Sequence, residues 1–338
     1  MHRRDALKAI FATVCASSGT FLGALLPVAR AAADERYPTR PIILVVPFAA
    51  GGLNDVTARF WADQVQKPLS GTVVVENRGG AGGTIGAAEI AHSTPDGYKL
   101  LLGSSTTQVL NPAIMDHVPY DPLKDFAAVS IFAVATAVIA VNPSVPAKTL
   151  KELVAYIKAN PGKLSYGSAG TGSNSHLAGE MFKHLAGGLD MVHVPYRSGG
   201  AAVTDLMANQ IPVATPHITS QVLALHTSGK IRILAVCAKE RLAGAPNLPT
   251  AAEEGMPGLI ATTFNGIFAP AGTATDIIAR IDAATQTAMK EPRFRDTLIK
   301  SGFDPVSGIG GPKAQQYVLD EIARLTPVIK ATHFTKSG

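Results

Sequence analysis

Apolar residues along the chain follow two periods. Short apolar-rich runs at 42–47, 72–75, 98–103, 129–134, 137–141, 164–168, 191–195, 211–214, 231–237 and 265–270 have the length and branched-residue content of buried strands. Between them apolar positions recur at helical spacing. Val56, Phe60, Trp61 and Val65 mark one helix; Leu177, Met181 and Leu185 mark another. Further helices are predicted over 201–208, 219–226, 275–290, 292–300 and 313–331. Thr149-Leu-Lys-Glu152 is a capping box, and Asn160-Pro-Gly162 stops the helix it starts. Strand alternating with helix predicts an α/β fold of right-handed crossovers and mostly parallel sheets. Two pairs of successive strands interrupt the alternation, near 133–141 and 262–270. They predict a first α/β domain formed by 34–135 plus 263–338, and an inserted second domain over 136–262. A ligand cleft is expected between the two.

Two of the strand-to-helix turns are rich in glycine. Residues 164–168 run into Gly170-Thr-Gly172-Ser-Asn-Ser175, and residues 42–47 run into Phe48-Ala-Ala-Gly-Gly52-Leu-Asn-Asp55. A glycine loop entering a helix N-terminus offers unpaired backbone N–H groups and the positive end of a dipole to an anion. Asp55 caps or charges the first helix, or meets a ligand itself. The run 79–86 reads equally as a third anion loop or as a tight turn with close packing. Residues 104–107, Ser-Ser-Thr-Thr, end a strand where clefts open in α/β sheets, and Arg197 is a cation beside a candidate loop.

The N-terminus changes the charge. His2-Arg3-Arg4, an apolar stretch over 9–28 and Ala29-Arg-Ala31 predict a signal peptide over 1–31, exported by the general or the twin-arginine route. Removing Arg3, Arg4, Lys8, Arg30 and Asp5 from totals of 30 and 25 leaves 26 basic against 24 acidic residues. A net charge of +2 gives no reason to expect a nucleic-acid partner. The mature chain keeps only Cys237, so no internal disulfide is expected. The expected location is the periplasm.

Other chemistries lack their residues. The 170–175 loop is one glycine short of a dinucleotide fingerprint, and no acid follows the next strand to hold a ribose. Tyr166-Gly-Ser168 lacks the first glycine of a nucleophile elbow. A hydrolase using Ser168 or Ser173 with His176 stays as the alternative reading, although His176 reads better as a residue supporting the loop. His176 and His184 are eight apart, too far for one metal, and no cofactor is expected.

The ordered motifs resemble a known family. Tyr37-Pro-Thr-Arg-Pro41, Val45-Val-Pro-Phe-Ala-Ala-Gly-Gly-Leu-Asn-Asp55, Val75-Glu-Asn-Arg-Gly-Gly-Ala-Gly-Gly83 and Val118-Pro-Tyr-Asp-Pro122 stand in the first part. Tyr166-Gly-Ser-Ala-Gly-Thr-Gly-Ser-Asn-Ser-His-Leu177, Val194-Pro-Tyr196, Gly229-Lys-Ile-Arg232 and Phe268-Ala-Pro-Ala-Gly-Thr273 follow. Together they resemble the Bug receptors, the substrate-binding proteins of tripartite tricarboxylate transporters, over 37–330. The resemblance implies a two-domain fold like that of periplasmic binding proteins, closing on a small solute without catalysis and handing it, as a monomer, to a membrane permease. A ligand sensor for a signalling partner is the other role open to such a fold. The implied ligand-binding residues are Phe48, Ala49, Ala50, Gly51, Gly52, Asn54, Asp55 and Thr106 in the first domain. In the second they are Ser168, Ala169, Gly170, Gly172 and Ser173. Where many members carry an acidic stretch, this chain has Ile211-Pro-Val-Ala-Thr-Pro-His-Ile-Thr219. Thr215 and His217 are therefore expected to meet the ligand's far half, which predicts a dicarboxylate or aromatic acid rather than an amino acid.

Overall fold

The computed structural model describes residues 37–332 and Phe334; the expected signal peptide at 1–31 lies outside the described residues. The apolar run at the start forms β1 (Ile42–Val46), which pairs in parallel with β2 (Val73–Asn77) and β3 (Lys99–Ser104). Helices α1 (Leu53–Leu69) and α2 (Thr84–Ala91) make the two crossovers. After a π-helical turn at Thr106–Leu110 and the single turn α3 (Asn111–Ile114), the long strand β4 (Phe126–Thr136) joins the same sheet.

The chain then leaves for a second sheet. It holds β5 (Val138–Val141), β6 (Leu164–Ser168), β7 (Met191–Pro195), β8 (Val213–Ala214) and β9 (Arg232–Val236), in the order β7-β6-β8-β5-β9. Between them run α4 (Leu150–Ala159), α5 (Asn174–Leu185), α6 (Gly199–Met207) and α7 (Ser220–Thr227). β10 (Thr262–Pro270) returns to the first sheet, followed by α8 (Thr275–Ala288), α9 (Pro292–Lys300), β11 (Phe303–Gly310) and α10 (Pro312–Ala331). The first sheet has the order β11-β4-β10-β3-β1-β2.

The protein thus has two α/β domains, each built on a mixed sheet. Mostly parallel pairing holds only for β1, β2 and β3 and for β6, β7 and β8. β10 runs antiparallel to β3 and β4, β11 to β4, and β5 to β8 and β9. The reason is topological. A strand that carries the chain out of one sheet or back into it has no helical crossover to set it parallel to its neighbour. β11 was not foreseen. It contains Pro305, Gly308 and Gly310, and it pairs with β4 through an irregular register between Pro305 and Ile309. An edge position tolerates both proline and glycine.

The segments that pass between the sheets are bonded to one another. Ala137 N–H donates to Ala261 C=O at 3.0 Å, and Cys237 N–H donates to Ala137 C=O at 2.9 Å. Ile218 N–H reaches Thr136 C=O at 2.9 Å. In the first domain Trp61, Phe132 and Phe294 are fully buried and stack in sequence, and the Trp61 indole N–H donates to Thr285 Oγ1 at 3.1 Å, tying α1 to α8.

Candidate functional site: a cleft between the two sheets

A cleft of about 910 Å³ opens between the ends of the two sheets. One wall is the loop between β1 and α1. Gly51 takes a positive φ of 79°, open to glycine without strain, and turns the chain into the helix. Gly52 is the N-cap of α1 and has no side chain with which to cap it. The backbone N–H groups of Ala49, Ala50 and Gly52 make no hydrogen bond among the described residues. The first-turn N–H groups of α1 add to them, since no intrahelical acceptor exists for these.

The opposite wall is finished differently. Each of α4, α5, α6 and α7 has a Ser or Thr N-cap whose oxygen accepts a first-turn N–H: Thr149, Ser173, Ser198 and Thr219. The loop before α5 also consumes its own donors. Ala169 N–H goes to Ser175 Oγ at 2.8 Å, Gly170 N–H to Ser168 Oγ at 3.1 Å, and Gly172 N–H to His176 Nδ1 at 3.2 Å. The two glycine loops are therefore not equivalent jaws. The first offers free donors; the second is a self-bonded, rigid shelf.

Phe48, Ala49, Ala50, Gly51, Gly52, Asn54, Thr106, Ala169, Ser173 and His217 all line the cleft. Asp55, Ser168, Gly170, Gly172 and Thr215 stand behind its walls. Asp55 is buried, accepting from Gly51 N–H at 2.8 Å, Asn77 Nδ2 at 3.0 Å and Arg59 Nε at 3.1 Å. Burial alone would raise its pKa, but these donors together hold it below the ordinary carboxylate value. Asn77 also donates to Phe48 C=O at 3.1 Å, so the pair braces both ends of the loop. Thr215 donates to Ser175 C=O at 2.6 Å and so supports α5 from below.

His217 is half-buried, and its Nε2 lies 3.2 Å from Asn174 Oδ1. Burial pushes its pKa down to about 4, which leaves it neutral near pH 7. Asn174 in turn donates to Thr262 C=O at 2.9 Å, linking the start of α5 to the strand that returns to the first sheet. His176 lies behind the shelf, stacked on His193 with ring centres 3.8 Å apart. Burial, then the neighbouring His193, lowers its pKa to about 4.

Ser168 is sealed from solvent, and its Oγ lies 2.7 Å from His193 Nε2, not from His176. Ser173 Oγ donates to Gly170 C=O at 2.6 Å and caps α5. Neither serine is paired with the His176 ring as a nucleophile would be with its base. Among the described residues, no three histidine, cysteine or acidic side chains are grouped to hold a metal ion.

The 79–86 run lies behind the first loop. A side chain on Gly86 would meet Arg78 C=O at 2.6 Å and Pro47 Cα at 3.0 Å, so α2 packs directly on the chain that enters the loop. Of its two readings, the tight turn describes its place.

Ser104 and Arg197, both singled out in the sequence, line the cleft as well. Sequence reasoning missed other parts of the wall: Thr263, Asn174, Ser198, Gly199, Gly200, Ser220 and Lys300. The N-cap serine and threonine before α6 and α7 were a legible signal for helix starts. Nothing local marks Lys300, which tertiary packing brings to the cleft.

Comparison with known proteins gives matches over most of the chain. The family model described as the tripartite tricarboxylate transporter family receptor matches residues 57–334. Protein BugT of Bordetella pertussis is 34% identical over 307 residues, covering 90% of this chain and 93% of that protein. The solved structure of R. palustris Rpa4515 with adipate superposes with a TM-score of 0.79 at 30% identity, over 88% of this chain and 99% of that one. MatC (Rpa3494) from Rhodopseudomonas palustris with bound malate gives 0.76 at 31% identity, over 87% and 100%. The fold, the cleft at the strand ends and these matches together establish that the chain belongs to the tripartite tricarboxylate transporter receptor family.

Proposed function

We propose that this protein is a periplasmic receptor that captures a small amine-free carboxylate in the cleft and delivers it, as a monomer, to a membrane permease. The observation that carries the reading is the set of unbonded N–H donors at Ala49, Ala50 and Gly52, residues that line the cleft at the uncapped start of α1. An uncapped helix start with its dipole is a site for an anion, and a carboxylate can take two such donors at once. No Asp or Glu side chain lines the cleft among the described residues, so a ligand ammonium group would be left without a counter-charge there. The adipate and malate complexes of two relatives support the ligand class. The bodies that close on the ligand are 34–135 with 263–338, and 136–262, turning about the bonded crossings at Ala137, Cys237 and Ala261.

Calorimetric titration of the exported protein with adipate, malate, glutamate and aspartate tests this. We expect binding of at least one amine-free acid and weaker binding of both amino acids. Tight binding of glutamate or aspartate with none of the amine-free acids would overturn it.

A further inference from the structure

Among the described residues the cleft wall carries two cations, one on each domain. Arg197 follows β7 in the second sheet's domain, and Lys300 is the last residue of α9, which packs against the first sheet. Both are exposed, and neither side chain has a hydrogen-bond or ion-pair partner among the described residues. Several other surface cations are paired with acids: Arg40 with Asp96, Lys99 with Glu89, Arg241 with Glu253. Lys300 also stands where the domains touch, its carbonyl accepting the hydroxyl of Ser220 at the start of α7. The free N–H groups of the 49–52 loop, on the same cleft, supply a separate place for a first carboxylate.

We infer that Arg197 and Lys300 form a cross-cleft clamp for a second anionic group on the ligand, and that this clamp sets specificity. The inference rests on the carboxylate reading above and deepens it. With one acid group at the start of α1, a monoacid leaves two like charges on bodies that approach one another as the cleft closes. Their repulsion opposes closure. A diacid long enough to place its far carboxylate between them removes that repulsion and adds attraction to both domains. A cavity of about 910 Å³ has room for a chain of several carbons between the two ends. The clamp also attracts dianions from solution, an effect that salt screens.

The test compares matched acids of equal length: succinate with butyrate, adipate with hexanoate, suberate with octanoate. Affinities are measured at low and high salt for the wild type, Arg197→Gln, Lys300→Gln and the double variant. The wild type is expected to prefer the diacid by about tenfold or more in at least one pair, and each single substitution to cut that ratio by about threefold to fivefold. In the double variant the ratio falls toward one and loses its salt dependence. A diacid preference that survives both substitutions, or wild-type affinity for monoacids equal to that for diacids in every pair, overturns the clamp. If the wild type binds no acid of either kind, the carboxylate reading itself fails and the clamp with it. Thermal melting of each variant confirms that these exposed substitutions leave the fold intact.

Discussion

Asp55 sits behind the cleft wall, yet its carboxylate shapes the loop that lines the cleft. One oxygen accepts Gly51 N–H and the other the Asn77 amide, which also holds Phe48 C=O. Asp55→Ala would remove the charged acceptor shared by Gly51 N–H, Asn77 and Arg59, at a cost of about 1–3 kcal/mol in stability. Because the loop is braced at both ends by this pair, we expect acid affinity to fall by about tenfold or more as well. Chemical denaturation and calorimetry measure the two effects separately; unchanged affinity in a folded variant would contradict the bracing role. The histidines give a second residue-scale expectation. His176 and His217 have native pKa values pushed down to about 4 from an ordinary 6.5. The unfolded chain therefore takes up protons first as pH falls. The stability these residues contribute is complete above pH 6.5 and is lost as pH drops toward 4. Protonated His176 can no longer accept Gly172 N–H, so in the folded protein the shelf before α5 loosens only as pH approaches 4. Thermal melting from pH 7.5 to 4.5 is expected to show a falling midpoint, with a shallower fall in His217→Asn. A midpoint flat across that range would count against neutral imidazoles at these two positions.

At the scale of elements, α2 acts as a buttress for the α1 loop. Its Gly86 lies so close to Arg78 C=O and Pro47 Cα that a methyl group must push backbone apart. Gly86→Ala should destabilise by about 1–3 kcal/mol and weaken acid binding, because the displaced chain runs straight into the loop. Wild-type stability and affinity in that variant would show that the packing is slack. This scale also shows how far the sequence could be read. Continuous apolar runs gave away β1, β3 and β9 because a buried strand needs apolar side chains on both faces. β11 stayed hidden because an edge strand needs fewer of them and tolerates Pro305. The glycine loops were legible as helix entrances, since positive φ at Gly51, Gly170 and Gly172 favours glycine. Which loop keeps its donors free was not legible. That depends on Ser168, Ser175 and His176 folding back on the second loop, while the first has only Gly52 at the cap. Thr215 pointing beneath α5, and Lys300 at the cleft, are likewise consequences of packing between elements remote in sequence.

At the scale of the whole molecule, the proposed function needs the domains to approach one another around a bound acid. Backbone bonds among Ala137, Cys237 and Ala261 join the crossings between the sheets, and the proposed closure places rotation there. Small-angle scattering with saturating ligand is expected to show a smaller radius of gyration than without it; an unchanged radius would exclude closure. The central claim is more local: a carboxylate sits on the free donors at the start of α1. A crystal structure of the protein with a bound acid, adipate or malate first, tests it most directly. We expect carboxylate oxygens about 2.9 Å from backbone nitrogens within the 49–52 loop. An acid held elsewhere in the cleft, with the N–H groups of Ala49, Ala50 and Gly52 facing only solvent, would contradict it.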